Sequence, residues 1–167
     1  QLGNHLFMPQ ENGYKDNTGD FAFDAEKAKS ELDKLGWKVP DNAQDGIREK
    51  DGTRLSIKYL RLPSLSTSAT EGKILQANMK EIGVEIVMDD TNDNDFFPER
   101  IAKGNFEIVA FTWVGTPYPM ANIGQIYGDG AVQNYGKISS DKITEYIEKV
   151  ATEGDEDKRI KDRKSVE

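Results

Sequence analysis

The residues of this chain best suited to meet another molecule are aromatics, small residues and side-chain amides gathered in two short stretches. The first is Trp113-Val114-Gly115-Thr116-Pro117-Tyr118-Pro119 and the second Gln133-Asn134-Tyr135-Gly136. Trp113 and Tyr118 offer apolar area with a polar tip, Gly115 exposes backbone groups, and the prolines stiffen the loop. That mix suits recognition of a solute's backbone rather than bond-breaking. The amides and phenol of the second stretch could reach the same end of a sheet. Either stretch also has the composition of a packed loop whose aromatics close a core, and the residues alone leave both readings open.

Other chemistries find no support. The acidic run Asp89-Asp90-Thr91-Asn92-Asp93-Asn94-Asp95 invites calcium, but a loop counted from Asp90 places Asp95 and Ile101 where Gly and a bidentate Glu are required. The loop from Asp41 has Gly46 in its proper place, yet Ala43 and Gly52 replace needed ligands. Helix capping and turn formation account for both. Gly128-Asp129-Gly130 lacks the third glycine of a dinucleotide fingerprint and follows no strand. His5 is the single histidine and there is no cysteine, which removes histidine relays, thiolate metal sites and thiol nucleophiles. No serine lies in a Gly-x-Ser-x-Gly elbow. The expectation is a binding protein with no catalytic residues, metal or cofactor, and not an enzyme. A hydrolase built on acids brought together in space, or a purely structural module, are the remaining classes.

Asp24 is placed to cap a helix running to about Leu35, where Gly36 stops it. Ala25, Ala28, Leu32 and Leu35 form its apolar stripe, and Trp37 is expected to plug the core. Asp51-Gly52, between Ile47–Lys50 and Leu55–Leu60, signals a hairpin. Leu55, Ile57 and Tyr59 alternate with polar residues as in a half-buried strand. A loop over 63–68 precedes a helix over 70–82, with Leu75, Met79 and Ile82 on one face. A strand over 84–88, an acidic turn over 89–95, and a helix with Pro98 in its first turn follow. Residues 106–113 (FEIVAFTW) are the most hydrophobic run and predict a central strand buried on both faces. Short helices are expected over 120–127 and 140–151. Strand and helix alternate, which implies an α/β fold whose mixed sheet is largely parallel and flanked by helices. The Trp113 loop would then lie at the carboxyl end of a strand, where open α/β sheets place their ligand crevice.

The chain has 167 residues and a net charge of −8. Its cations are interleaved with acids, as Lys27, Lys29 and Lys34 are among Glu26, Glu31 and Asp33. No basic stripe is available for nucleic acid, so none is expected as a partner. No apolar run approaches a membrane span, and Gln1–Pro9 has no signal-peptide pattern. Residues 1–23 read as an extended, wrapping segment. Residues 155–167 have helical composition with only Ile160 and Val166 apolar, so that helix is expected to pack weakly. This and the absence of an initial Met lead to the expectation of a fragment of a longer protein.

Several stretches together resemble the family 5 extracellular solute-binding proteins, the oligopeptide- and dipeptide-binding components of ABC importers. They are Asn4-His5-Leu6-Phe7-Met8-Pro9, FDAEKAKSELDKLGWK, DGIREKDGTRLSIKYL, LQANMKEIGVEIV, GNFEIVAFTWVGTPYP, QNYGKISSDKITEYI and Asp155-Glu156-Asp157-Lys158-Arg159, in order along nearly the whole chain. The resemblance implies a type II periplasmic-binding fold of two lobes, of which residues 1–167 would be most of the second. It further implies a protein that is extracellular, either a cell-surface lipoprotein or periplasmic, and monomeric. Its partners would be a peptide or small-molecule ligand, the first lobe of the same chain, and the permease subunits of an importer. Trp113, Gly115, Thr116 and Tyr118 correspond to ligand-facing positions of the family, together with Asn134 and Tyr135. In peptide-binding members an aspartate shortly after the strand-end tryptophan holds the peptide's α-ammonium group. Here Thr116 stands in that place, and Val114-Gly115-Thr116 contains no acid. Relatives of the family carry nickel complexes, sugars and opines. A peptide receptor or chaperone that feeds no transporter is a further alternative.

Overall fold

The first helix forms where a carboxylate can take an otherwise unpartnered backbone N–H. In the computed structural model, which describes residues 9–10, 14–19, 22–112, 123–154 and 158, Asp24 accepts from the Lys27 amide at 2.8 Å and opens α1 (Ala25–Lys34). Glu26 in the first turn and Lys34 in the last suit the helix dipole. The apolar stripe is shallower than its spacing suggests. No residue of α1 is fully buried, Leu35 is 63% exposed, and Trp37 is half-buried rather than a core plug.

The described residues fall in two compact units, Phe23–Thr112 and Gln1–Ala22 with Trp113–Glu167. In Phe23–Thr112 the expected hairpin is present as β1 (Glu49–Lys50) and β2 (Thr53–Arg54), with Glu49 opposite Arg54. Its two-residue turn has φ of 51° at Asp51 and 76° at Gly52, the pair of positive angles that matches the twist of the strands. The chain runs on directly into β3 (Ser56–Arg61), which pairs in parallel with β4 (Glu85–Asp90) and with β5 (Ile108–Val109). The order β4-β3-β5 corrects the sequence reading of 106–113. The central strand is β3, where Tyr59 and Leu60 are 3% and 1% exposed, while β5 is short, half-buried and at one side. Phe106, Ile108, Val109 and Phe111 are half-buried and Glu107, Ala110 and Thr112 exposed, so each face is partly covered and neither is sealed. Hydrophobicity alone does not distinguish partial cover from full burial.

Helix α2 (Ser66–Glu81) crosses from β3 to β4 and starts four residues before the predicted 70. Ser66, Thr67 and Ser68 have loop-like composition, but Ser68 and Gly72 are the buried positions of the helix. With Leu75, Met79 and Ile82 they make one seam at spacings of three and four. Small residues let the helix lie close to the sheet: a Cβ on Gly72 would come within 2.7 Å of Met88 Cε. After β4, Asn92 caps a single turn, α3 (Asp93–Asp95), which widens into a π-helical segment, Phe96–Ile101. Pro98 lies inside this segment, not in the first turn of an α-helix. With no N–H to give and a ring that crowds the preceding turn, proline accounts for the widened register. Phe96 and Ile101 are the core residues it supplies.

Arg48 joins these pieces. It is 6% exposed, and its guanidinium donates to Asp33 Oδ1 at 2.7 Å, the Trp37 carbonyl at 2.8 Å and the Ile82 carbonyl at 2.8 Å. Its backbone N–H donates to the Gly83 carbonyl, and its carbonyl accepts from Leu55. Gly83 has φ of 82°, and a Cβ there would stand 2.7 Å from Arg48 Cγ.

In the other unit, α4 (Ile123–Tyr127) and α5 (Asp141–Thr152) pack against each other with Ile123 and Val150 buried. Ser140 caps α5 by accepting from the Ile143 amide at 3.2 Å, as the sequence suggests. The parts of the expected 1–23 and 155–167 segments that carry their character lie largely outside the described residues.

Replacing Arg48 by Ala strands the Ile82 and Trp37 carbonyls, so a loss of about 3 kcal/mol is expected from hydrogen bonds with a charged donor. Gly83→Ala is expected to cost about 1–2 kcal/mol through its left-handed backbone. The two should not add, because Arg48→Ala also removes the atom the new Cβ meets. Urea melts of both single variants and the double variant measure this.

Candidate functional site

Parallel strands bring their carboxyl ends to one edge, and in Phe23–Thr112 that edge is held by arginine–carboxylate pairs. Arg61 and Asp90 are register partners at the ends of β3 and β4, and Arg61 Nε donates to Asp90 Oδ1 at 2.6 Å. The guanidinium holds the Asp90 carboxyl below the usual carboxylate range, and the carboxylate raises Arg61 in turn. Arg100 of the π-helical segment binds Asp89, and Ser64 Oγ donates to Asp93 at 2.7 Å. Asn92 accepts from the Asp95 amide and donates to its carboxylate. The acidic run that resembles a cation loop is thus occupied by arginines and a helix cap. Among the described residues no group of three His, Cys, Asp or Glu could hold a metal ion.

Strand β5 leads toward the predicted ligand loop. Glu107 accepts from the Lys58 amide at 2.5 Å and ties the start of β5 to β3. At its far end Phe111 meets Phe97 edge-on at 5.5 Å, and Phe97 meets Phe96 likewise at 5.5 Å. Since Phe96 is buried, the exit of β5 is braced from the core. Trp113, Gly115, Thr116 and Tyr118 lie outside the described residues, which resume at Ile123.

The second predicted stretch is described, and its residues are engaged. Asn134 Nδ2 donates to the Gly128 carbonyl at 3.2 Å and the Ile138 carbonyl at 2.8 Å, while Oδ1 accepts from the Ile138 amide at 3.2 Å. Both donors of the amide are used, and one lone pair of the carbonyl is left. Asn134 therefore shapes the 128–138 loop, which a second link, Ser139 Oγ to Asp129 Oδ1 at 3.0 Å, also ties. The Gly128-Asp129-Gly130 stretch is part of this closed loop, and no strand feeds it. Tyr135 is half-buried beside Asn134. Sequence reasoning missed the arginine–aspartate pairs and the phenylalanine brace. Their signal was available: an arginine closing one strand and an aspartate closing the next.

The sequence matches the family described as Bacterial extracellular solute-binding proteins, family 5 Middle, over residues 1–134. The chain belongs to this family. It is 37% identical over 154 residues to the oligopeptide-binding protein OppA of Mycobacterium tuberculosis, covering 92% of this chain and 25% of that protein. It is 33% identical over 98 residues to the nickel-binding periplasmic protein of Escherichia coli, covering 58% of this chain and 18% of the relative. The chain thus spans about a quarter or less of the length of these curated relatives. Among solved structures, NikA from Brucella suis in complex with Fe(III)-EDTA superposes with a TM-score of 0.77 at 24% identity, over 96% of this chain and 32% of that one. This likeness shows the fold, that of the family 5 periplasmic binding proteins. No described helix is long and apolar enough to cross a membrane.

Two measurements follow from this geometry. Asp33, Asp45, Glu85 and Asp90 all sit below their ordinary pKa because an arginine hydrogen-bonds each carboxylate. The unfolded chain therefore takes up protons first on acidification, and stability present above the ordinary carboxylate pKa is lost as pH falls through the folded values. Thermal melts between about pH 6 and about pH 2 should show this fall, with a shallower acid limb for Asp90→Asn. Asn134→Ala should speed hydrogen exchange at the Ile138 amide by about tenfold, the factor for roughly 1.4 kcal/mol. An unchanged Ile138 rate would remove the clamp role from Asn134.

Proposed function

We propose that residues 1–167 form one lobe of a two-lobed, extracellular or periplasmic solute-binding protein that delivers its ligand to an ABC importer. Family membership, resting on the match over residues 1–134, is the observation that carries this reading. The ligand is a peptide or another small solute. Identity to OppA favours a peptide, whereas similarity to the nickel-binding protein and the acid-free Val114-Gly115-Thr116 favour a solute held without an ammonium anchor.

In this reading Trp113 and Tyr118 give stacking area, Gly115 exposes backbone groups, and Thr116 supplies a hydroxyl where other members place a carboxylate. Tyr135 adds a half-buried phenol, and Asn134 holds its loop in shape. The protein works by closure: a ligand touching both lobes favours the closed state, and the permease reads that state. No bond is made or broken, so the chain is a carrier rather than an enzyme. One lobe alone holds the solute weakly, because half of the contacts and the closure itself are missing. If the complete protein is exported with a lipid anchor, it acts as a cell-surface lipoprotein.

The chain has two tryptophans, Trp37 and Trp113, so fluorescence titration with short peptides and with a nickel–histidine complex separates the readings. The expected result is a weak response, with Kd above about 10 μM, that vanishes in Trp113→Phe and persists in Trp37→Phe. A response to peptides alone makes the substrate a peptide, and a response to nickel–histidine alone makes it a metal complex. A response that survives Trp113→Phe places the ligand elsewhere. Thr116→Asp should then strengthen binding of peptides with a free amino terminus over acetylated ones by about tenfold.

A further inference from the structure

Aspartate is followed by glycine at three places among the described residues: Asp45-Gly46, Asp51-Gly52 and Asp129-Gly130. With no Cβ to shield it, the glycine amide nitrogen can reach the Cγ of the aspartate before it. None of the three glycines is crowded from elsewhere, since a Cβ on Gly46, Gly52 or Gly130 would meet nothing within 4 Å. What separates the three is how the carboxyl group is held.

At Asp45 both oxygens are engaged. Oδ1 accepts from the Ile47 amide at 3.1 Å and Oδ2 from Arg54 at 2.5 Å. The guanidinium holds this carboxyl below the usual carboxylate range, in the ionised form whose oxygen leaves poorly. At Asp129, Oδ1 accepts from Ser139 Oγ at 3.0 Å. Asp51 is exposed and makes no hydrogen bond or ion pair through its side chain among the described residues. Its φ of 51° lies in the left-handed region, which costs a residue that has a Cβ. The hairpin that keeps it there has two residues in each strand, Glu49–Lys50 and Thr53–Arg54. So short a ladder opens readily at its tip, and opening frees the rotation about the Asp51 Cα–C bond that ring closure needs.

We propose that Asp51 is a site of spontaneous isoaspartate formation, from which Asp45 and Asp129 are kept by their partners. The Gly52 nitrogen bonds to Asp51 Cγ, and the carboxyl hydroxyl leaves as water with the amide proton, giving a five-membered imide. Water then adds back. Breaking the bond from nitrogen to Cγ restores aspartate, whereas breaking that to the main-chain carbonyl carbon routes the chain through Cβ. The composition is unchanged, but the two-residue turn gains a methylene, and Lys50 no longer stands opposite Thr53. The pairings of β3 with β4 and β5 lie beyond the hairpin and remain.

The test stores the 167-residue chain in warm, mildly acidic buffer, folded and in urea, and maps isoaspartate by electron-transfer fragmentation of its peptides. Asn12-Gly13, outside the described residues, is read apart because its product gains mass as amide becomes acid. In urea the three steps should react within about threefold of one another. In the folded protein Asp51 should react at least about fivefold faster than Asp45 and Asp129. Amide shifts of the aged protein should move at Glu49, Lys50, Thr53 and Arg54 and stay at Tyr59 and Leu60. Arg54→Ala should raise the Asp45 rate about fivefold and leave Asp129, in the other unit, unchanged. Equal rates at the three sites of the folded protein would overturn the proposal, as would an Asp51 rate below the other two. The same preference in urea would assign it to neighbouring residues rather than to the fold. An Asp45 rate that Arg54→Ala leaves unchanged, or raises no more than that of Asp129, would remove the protection ascribed to Arg54.

Discussion

A guanidinium can be buried only where acceptors surround it, and the elements of Phe23–Thr112 are arranged so that Arg48 finds them. Asp33 comes from α1, the Trp37 carbonyl from the turn after it, and the Ile82 carbonyl from the end of α2. The last of these places a cation at the negative end of a helix, where the dipole favours it. Gly83 must then lack a side chain, because Arg48 fills that space. The same constraint explains why α1 can stay attached with no fully buried residue: directed polar contacts hold it as much as apolar burial does. Removing such contacts costs more than the net gain they bring, since the stranded acceptors stay desolvated.

Much of this architecture is legible in the residues. The Asp24 cap, the Asp51-Gly52 turn and the Ser140 cap act through local chemistry, and local chemistry survives in a string of letters. The parallel sheet is legible too, because alternating strands and helices leave few other connections. What is hidden depends on partners far away in sequence. How fully 106–112 is covered depends on what lies beside it, and Ser68 and Gly72 look like loop residues until the sheet beneath them is known. Arg48 shows the same limit, because one charged residue just before a hairpin carries no sign that three carbonyl or carboxylate oxygens will converge on it.

The candidate site divides along the same line. The aromatic and amide composition of the two stretches marks them as places for recognition, but composition does not separate a group that meets solute from one that holds a loop. Asn134 spends both amide hydrogens on the carbonyls of its own loop. Family membership is what the proposed role of carrier rests on, and the segment Val114-Gly115-Thr116 contains no acid.

The pairing of β3 with β4 spans only 29 positions, from Arg61 to Asp90 and likewise along the strand. All the described pairings of the sheet are complete by Val109. Closing such short stretches costs little chain entropy, and each added strand finds its neighbour already laid down. The sheet can therefore be assembled in the order in which the chain is made or exported, before Trp113 has emerged. The register of β3, β4 and β5 is thus set without Trp113 or any residue after it, so substitutions beyond that point leave this step of folding unchanged.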